Sequence, residues 1–169
     1  NINGSSLGGA TITAQAPIGQ IQAFAFDQRQ GTLWAGSSHG NVLRWSGQRW
    51  LVISDVKSPI HAMLFMGGEL WLGTDEGLYR FDGVEEILID ALGRQPVYAL
   101  LADGRNVWVG SEGGLWRYSD SKWSQVSTGE EFLALGVYAL AVADDGTLVV
   151  GTPYGVGWQP YTRGRWYWY

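Results

Sequence analysis

The chain has 169 residues, of which 46% are hydrophobic and 16% are charged, so it is long and apolar enough to fold around a core of its own. Its formal net charge is −5 and its Lys and Arg residues are scattered singly, which argues against nucleic acid or an anionic membrane as a partner. The sequence has no cysteine, which excludes disulfides and thiolate metal sites, and no apolar run reaches the roughly 20 residues of a membrane helix.

Residues 1–20 form an N-terminal extension ahead of the repeated part of the chain. Within this extension, residues 10–14 read ATITA, which has the composition of a short strand. We expect this strand to pair with another element, and the outermost strand near the C-terminal end is one candidate.

Residues 21–169 contain four copies of one unit, and the copies start 39, 37 and 40 residues apart, which predicts blades at about 21–54, 60–90, 97–128 and 137–169. Each copy has an Ala in its first apolar segment and a pair of glycines four residues apart. The alanines are Ala23, Ala62, Ala99 and Ala139, and the glycine pairs are Gly36/Gly40, Gly73/Gly77, Gly110/Gly114 and Gly151/Gly155. Repetition at about 40 residues is typical of β-propeller blades.

Each copy predicts four short strands separated by turns. The second strand ends at the first glycine of the pair, the second glycine opens the third strand, and the fourth strand is centred on Trp50, Ile87, Trp123 or Trp166. Because no copy has a sustained 3.6-residue period, the predicted fold is all-β, a propeller of four four-stranded antiparallel blades. Four blades are the lower limit for a closed ring. A closed four-bladed ring, half of a dimeric ring and a part of a longer propeller therefore stay open.

The first glycine pair lies in Gly36-Ser37-Ser38-His39-Gly40, which matches G-x-S-x-G, the turn that holds the nucleophile of many hydrolases. The equivalent residues in the other copies are GTDEG, GSEGG and GTPYG, so the middle Ser38 is not kept. The hydrolase turn precedes a helix, whereas the NVLRW after Gly40 has the pattern of a strand. We interpret the motif as a blade turn and predict a non-catalytic chain.

The third copy carries a resemblance to a known family. The segment Val97-Tyr98-Ala99-Leu100, followed by NVWVGSEGGLWRY over residues 106–118, resembles the two-component regulator propeller repeat of bacterial hybrid histidine kinase sensors. The similarity covers nearly all of residues 21–169 and is weaker in the fourth copy, where Val149 replaces a Trp. The resemblance implies a sensing or interaction propeller that is periplasmic or extracellular.

Propellers usually bind with loops at one mouth of the central channel, because loops on a rigid scaffold vary freely. We predict that three kinds of segment share this mouth: the turns after the second strands, the second residue of each inner strand, and the connections between blades at residues 55–59, 91–96 and 128–136. The candidate ligand-binding residues are His39, His61, Asp75, Glu76, Tyr98, Glu112, Tyr138 and Tyr154. Such a set suits a glycan, and equally a peptide or a protein surface. Because no cluster has the spacing of metal ligands, we expect neither a metal nor a cofactor.

The run Arg165-Trp166-Tyr167-Trp168-Tyr169 predicts an outer strand with alternating aromatic side chains. An uncovered edge of this kind invites pairing. Trp166 and Trp168 are therefore candidate assembly residues, paired with residues 10–14, a neighbouring chain or a continuation of the propeller. Three function classes follow: a binding or sensing propeller, a structural assembly module and, less favoured, a propeller lyase or glycosidase. We expect a protein partner or self-association, and neither nucleic acid nor membrane insertion.

Overall fold

The computed structural model describes residues 18–104, 106–126, 135–161 and 164–169. In these ranges the chain forms sixteen strands and a short 3-10 helix, Asp90–Leu92. The strands of the first two blades are β1 (Ile21–Asp27), β2 (Thr32–Ser37), β3 (Asn41–Trp45), β4 (Trp50–Asp55), β5 (Ile60–Met66), β6 (Glu69–Thr74), β7 (Gly77–Phe81) and β8 (Glu86–Leu88). Those of the last two blades are β9 (Val97–Ala102), β10 (Val107–Ser111), β11 (Gly114–Ser119), β12 (Lys122–Gln125), β13 (Ala139–Val142), β14 (Leu148–Thr152), β15 (Gly155–Gln159) and β16 (Tyr167–Trp168).

The strands form four sheets, and in each sheet the spatial order follows the order along the chain, as in β1-β2-β3-β4. Every pair of neighbouring strands in these sheets is antiparallel, as consecutive strands of a meander are. Four such meanders in succession are four blades of a propeller. The predicted all-β fold of four four-stranded antiparallel blades is confirmed.

Hydrophobic clusters join consecutive blades. Between the first and second blades, Trp34 and Val42 pack with Ile60 and Met63. Equivalent clusters join the second blade to the third and the third to the fourth. Each side chain buried in this way contributes roughly 1.5–3 kcal/mol relative to exposure in water. No cluster among the described residues joins the fourth blade to the first.

The first glycine of each pair allows the blades to approach closely. A Cβ atom built on Gly73 would lie 2.8 Å from the carbonyl oxygen of Val97 in the next blade. Because real Cβ atoms do not approach backbone oxygen so closely, only glycine fits this position without displacing the neighbouring blade. The second strands continue one residue past this glycine, to Ser37, Thr74, Ser111 and Thr152.

The C-terminal aromatic residues pack inside the chain. Trp166 is buried and Trp168 is half-buried, and both belong to the cluster formed with Trp108 and Leu115 of the third blade. The third blade therefore covers part of both side chains. Their role in assembly stays a prediction, and the proposed strand at residues 10–14 lies outside the described residues.

Candidate functional site at the channel mouth

Three aromatic rings form a ladder across the second, third and fourth blades. They belong to His61, Tyr98 and Tyr138, which share one position next to the start of their inner strands. The ring centroids of Tyr98 and Tyr138 are 4.6 Å apart at an interplanar angle of 28°, a stacked pair. The centroids of His61 and Tyr98 are 5.5 Å apart and tilted by 48°. Repetition of the blade brings these side chains together, as the sequence predicted.

An irregularity in strand pairing lies at two of the three ladder residues. In the second blade the register shifts between Ile60 and Ala62, so His61 has no direct partner in the ladder of β5 and β6. The third blade has the same shift opposite Gly110 and Ser111, at Tyr98. A bulge re-aims a side chain and is common next to functional sites. The alternation of residue types in the sequence did not predict this bulge.

Glu112 connects two rungs of the ladder. Its Oε2 atom accepts a hydrogen bond from the hydroxyl of Tyr98 at 3.0 Å and another from that of Tyr138 at 3.2 Å. Glu112 lies in the turn between β10 and β11, which the hydroxyl of Ser111 supports by donating to the carbonyl of Gly114. A single carboxylate therefore links the third and fourth blades at the mouth.

The second blade supplies an acid–imidazole pair. Nε2 of His61 lies 2.6 Å from Oδ1 of Asp75, which is in the turn between β6 and β7. His61 is half-buried, whereas Asp75 is exposed. The pair fixes the imidazole ring beside Tyr98, and the exposed carboxylate keeps acceptor capacity for a ligand.

The environment of the ladder holds its phenols in the neutral form. Burial raises the pKa of Tyr98 to about 12, and the hydrogen bond to Glu112 and its negative charge act in the same direction. Partial desolvation likewise raises the pKa of Tyr138, again assisted by Glu112. Both hydroxyl groups therefore remain hydrogen-bond donors at neutral pH.

The other predicted site residues lie around the ladder rather than in it. Glu76 is exposed and its Oε2 lies 3.5 Å from Nη1 of Arg94. Tyr154 is exposed in the turn between β14 and β15. His39 is exposed in the turn of the first blade, beside Gly19. In the first blade the ladder position is occupied by Gln22, which carries no ring.

Arg94 and Gln95 lie in the connection before β9, which the sequence predicted to be at the mouth, but neither residue was singled out as a candidate site residue. The side-chain oxygen of Gln95 accepts a hydrogen bond from the backbone of Gly113 at 2.6 Å, and its nitrogen donates to the carbonyl of Leu92 at 2.5 Å. Gln95 therefore holds the turn that carries Glu112. The connections between blades do not repeat, so no pattern marked it.

Ser38 forms hydrogen bonds with the backbone of the preceding segment. Its hydroxyl accepts a hydrogen bond from the backbone nitrogen of Gln20 at 2.9 Å, and its own nitrogen donates to the Gln20 carbonyl at 2.8 Å. The residues that follow Gly40 form β3, a strand and not a helix. The turn therefore lacks the helix that a hydrolase nucleophile requires.

In the described ranges, no group of three or more His, Cys, Asp or Glu side chains is arranged to hold a metal ion. No helix in the same ranges has the length and apolar character needed to cross a bilayer.

No family model matches the chain, and neither does any curated protein. Among solved structures, the extracellular domain of the one-component system BT4673 from B. thetaiotaomicron is similar, with a TM-score of 0.76 and 20% identity over 89% of this chain. The resemblance to the two-component regulator propeller is confirmed for the fold. This chain spans 22% of the BT4673 chain.

Two further structures are similar in fold. The computationally designed Ika4 protein has a TM-score of 0.66 and 18% identity, and the match covers 91% of this chain and 99% of Ika4. The structure of YCF48 bound to D1 peptide has a TM-score of 0.63 and 16% identity, and the match covers 92% of this chain and 56% of YCF48. All three similarities are below 25% identity and concern the fold.

Proposed function

We propose that this chain is a non-catalytic recognition module that binds a glycan at the channel mouth. The observation that carries the proposal is the ladder of His61, Tyr98 and Tyr138 with the carboxylates of Asp75 and Glu112 beside it. Ligand sites combine aromatic and apolar surface with a few placed polar groups, and this cluster has that composition.

The chemistry of the ladder suits a sugar ring. One face of a sugar is formed by C–H groups and stacks on an aromatic ring, while its hydroxyl groups seek acceptors such as the Asp75 carboxylate. Tyr138 is 42% exposed, so one edge of the stacked pair is accessible to a ligand. The proposal also includes an extracellular or periplasmic location, which is supported by the extracellular neighbour BT4673.

A peptide ligand is the second candidate, because the similar YCF48 propeller was solved with D1 peptide bound. The ladder and its carboxylates would then contact a basic side chain through cation–π and charge-assisted contacts. A lyase or glycosidase is less favoured. The Glu112 carboxylate accepts two tyrosine hydrogen bonds, which suits a positioning role better than proton transfer.

The test compares binding in the unmodified chain with that in Tyr98→Ala/Tyr138→Ala. Neutral glucan and mannan oligosaccharides and an Arg-containing peptide are titrated while amide and aromatic NMR shifts are followed. Tyr161→Ala is the matched control, because Tyr161 is exposed but lines a cavity with Asp103 and Asn106 instead of the ladder.

We expect saturable oligosaccharide binding that the double variant loses and the control keeps. Peptide binding with no oligosaccharide binding would replace the glycan by the second candidate. Conversion of the oligosaccharide would establish an enzyme, and identical binding by the double variant and the control would refute the site.

A further inference from the structure

The internal interfaces between blades share one construction. We call the face of a blade toward the preceding blade its leading face, and the face toward the following blade its trailing face. On the leading face, the residue two positions before the repeated alanine is Ile60, Val97 or Val137, and each is 0% exposed. Each of these three residues lies against the first glycine of the preceding blade, which is Gly36, Gly73 or Gly110.

The leading face of the first blade has apolar residues at the equivalent positions, but among the described residues no other blade covers them. Ile21, equivalent to Ile60, is 39% exposed, and Phe24 is 59% exposed although its equivalent Met63 is buried. Phe26 and Val52 add further exposed apolar surface to this blade. Such an apolar face on a folded chain marks an interaction surface.

The trailing face of the fourth blade is open in the complementary way. Val156 pairs with Gly151 in the register in which Leu78 pairs with Gly73 and Leu115 with Gly110. Leu78 and Leu115 are 0% exposed, whereas Val156 is 44% exposed.

Gly151 also lacks the neighbour that its equivalents have. A Cβ atom built on Gly151 would contact only Ala139 of its own blade, at 3.1 Å, whereas one built on Gly110 would lie 2.6 Å from the carbonyl oxygen of Val137 in the next blade. Among the described residues, none of another blade lies as close to Gly151 as Val137 lies to Gly110. We call this open position beside Gly151 the seat for the first residue of a following blade.

Each open face differs from the internal faces in the size of one side chain, and the two differences are opposite in sign. Internally, a trailing-face Trp packs in one cluster with a Met or Leu of the next blade, as Trp34 does with Met63. In the fourth blade this Trp is replaced by the smaller Val149, and in the first blade the Met or Leu is replaced by the larger Phe24. A small residue on one open face thus meets a large one on the other, and the larger Phe24 offsets part of the volume lost at Val149.

We propose that the trailing face of one chain binds the leading face of a second copy, and that two such contacts close an eight-bladed ring. Head-to-tail contacts of this kind give rings when the rotation closes. Eight blades lie within the usual range of four to eight for propellers, whereas three copies would exceed it. In this contact Ile21 of one chain takes the seat at Gly151 of the other, and Phe24 fills the space beside Val149.

The test measures the mass of the full chain across concentration by sedimentation velocity and light scattering. We expect a reversible change between the mass of one chain and twice that mass. Phe24→Glu on the leading face and Val156→Glu on the trailing face should each weaken the dimer at least about tenfold, which corresponds to about 1.4 kcal/mol. Val84→Glu is the matched control, because Val84 is 88% exposed and lies in a turn of the second blade.

Mixing the two variants sharpens the test. Each variant alone has no intact contact, whereas the mixture forms one intact contact between the unmodified faces. We therefore expect a mixed dimer that is tighter than either variant dimer and weaker than the unmodified one. If a glutamate variant fails a near-ultraviolet circular dichroism check of its fold, Ile21→Ala and Val156→Ala replace the pair.

Three results would overturn the proposal. A single-chain mass at every accessible concentration would mean that no second copy binds. Trimers or open-ended polymers would contradict an eight-bladed ring. Equal effects of Val84→Glu and the two face variants would mean that association does not use these faces. None of these outcomes depends on whether the mouth binds a glycan.

Discussion

The interfaces between blades and the two end faces of this chain are built from the same repeat. The apolar side chains are buried at the interfaces between blades, whereas their equivalents on the end faces are exposed. Val97 and Ile21 occupy the same position, and the first is fully buried while the second is exposed. The repeat pattern thus determines which side chains form an interface. Whether they contribute to stability depends on the presence of a neighbouring blade, because burial and not residue type provides the free energy.

The largest expected difference is between Ile60→Ala and Ile21→Ala. Ile60→Ala creates a cavity between the first and second blades, and we expect it to lower the free energy of unfolding by about 2–5 kcal/mol. Ile21→Ala removes an exposed side chain and should cost less than about 1 kcal/mol in dilute solution. Urea unfolding measures both, and equal losses would mean that the end face is covered within one chain.

A second matched pair is Gly110→Ala and Gly151→Ala. The new methyl group at 110 meets the backbone of Val137, so the fourth blade has to shift, and we expect a loss of about 1–3 kcal/mol. The methyl group at 151 meets only Ala139, so the loss should be smaller while self-association is weakened. Thermal unfolding and sedimentation of the same samples measure the two effects. A larger loss of stability at 151 would contradict the assignment of the open face.

At the mouth, the carboxylate of Glu112 links the third and fourth blades beside the stacked rings of Tyr98 and Tyr138. The pKa of Tyr98 reports this contact. The pKa of about 12 lies above the ordinary tyrosine value of about 10. A raised folded-state pKa means that the stabilisation is complete below pH of about 10 and is lost as pH rises toward 12.

Ultraviolet titration of the unmodified chain minus Tyr98→Phe isolates this group. We expect a midpoint near 12 that falls in Glu112→Gln, because the neutral amide no longer opposes the phenolate. An unchanged midpoint in Glu112→Gln would mean that burial alone raises this pKa.

The smallest expected effect is that of Tyr138→Phe. It removes one hydrogen bond to Glu112 at a site open to water, so we expect a loss of stability close to that of the control. Tyr161→Phe is the matched control, and chemical denaturation compares the two. A loss several times larger would mean that the ladder supports the interface between these blades as strongly as its apolar cluster.

Much of the fold was predictable because each blade repeats both its turns and its apolar positions. The same repetition also predicted that His61, Tyr98 and Tyr138 lie near each other, and their rings are neighbours. Their binding of a ligand stays a prediction. The bulge beside these residues was not predictable, since it changes register without changing the alternation of residue types. Gln95 was missed because it lies in a connection that does not repeat.

The side of the sheet on which an aromatic residue packs could also not be predicted from the sequence. Trp166 and Trp168 lie in a run of aromatic residues, and the run alone does not say which members face the preceding blade. In the structure these two pack on the third blade, while Trp158 and Tyr167 stack on each other, with their centroids 5.8 Å apart. Only the three-dimensional arrangement of the blades distinguishes the two sets.

Thiol accessibility tests the central comparison most directly, because the chain has no cysteine of its own. Val156→Cys and Leu115→Cys occupy equivalent positions on an open and a covered trailing face. In dilute solution we expect the thiol at 156 to react with a soluble disulfide reagent as an exposed thiol does, and to become protected as concentration rises. The thiol at 115 should react only when the chain unfolds. Slow reaction of both thiols in dilute solution, or fast reaction at 156 at every concentration, would contradict the account.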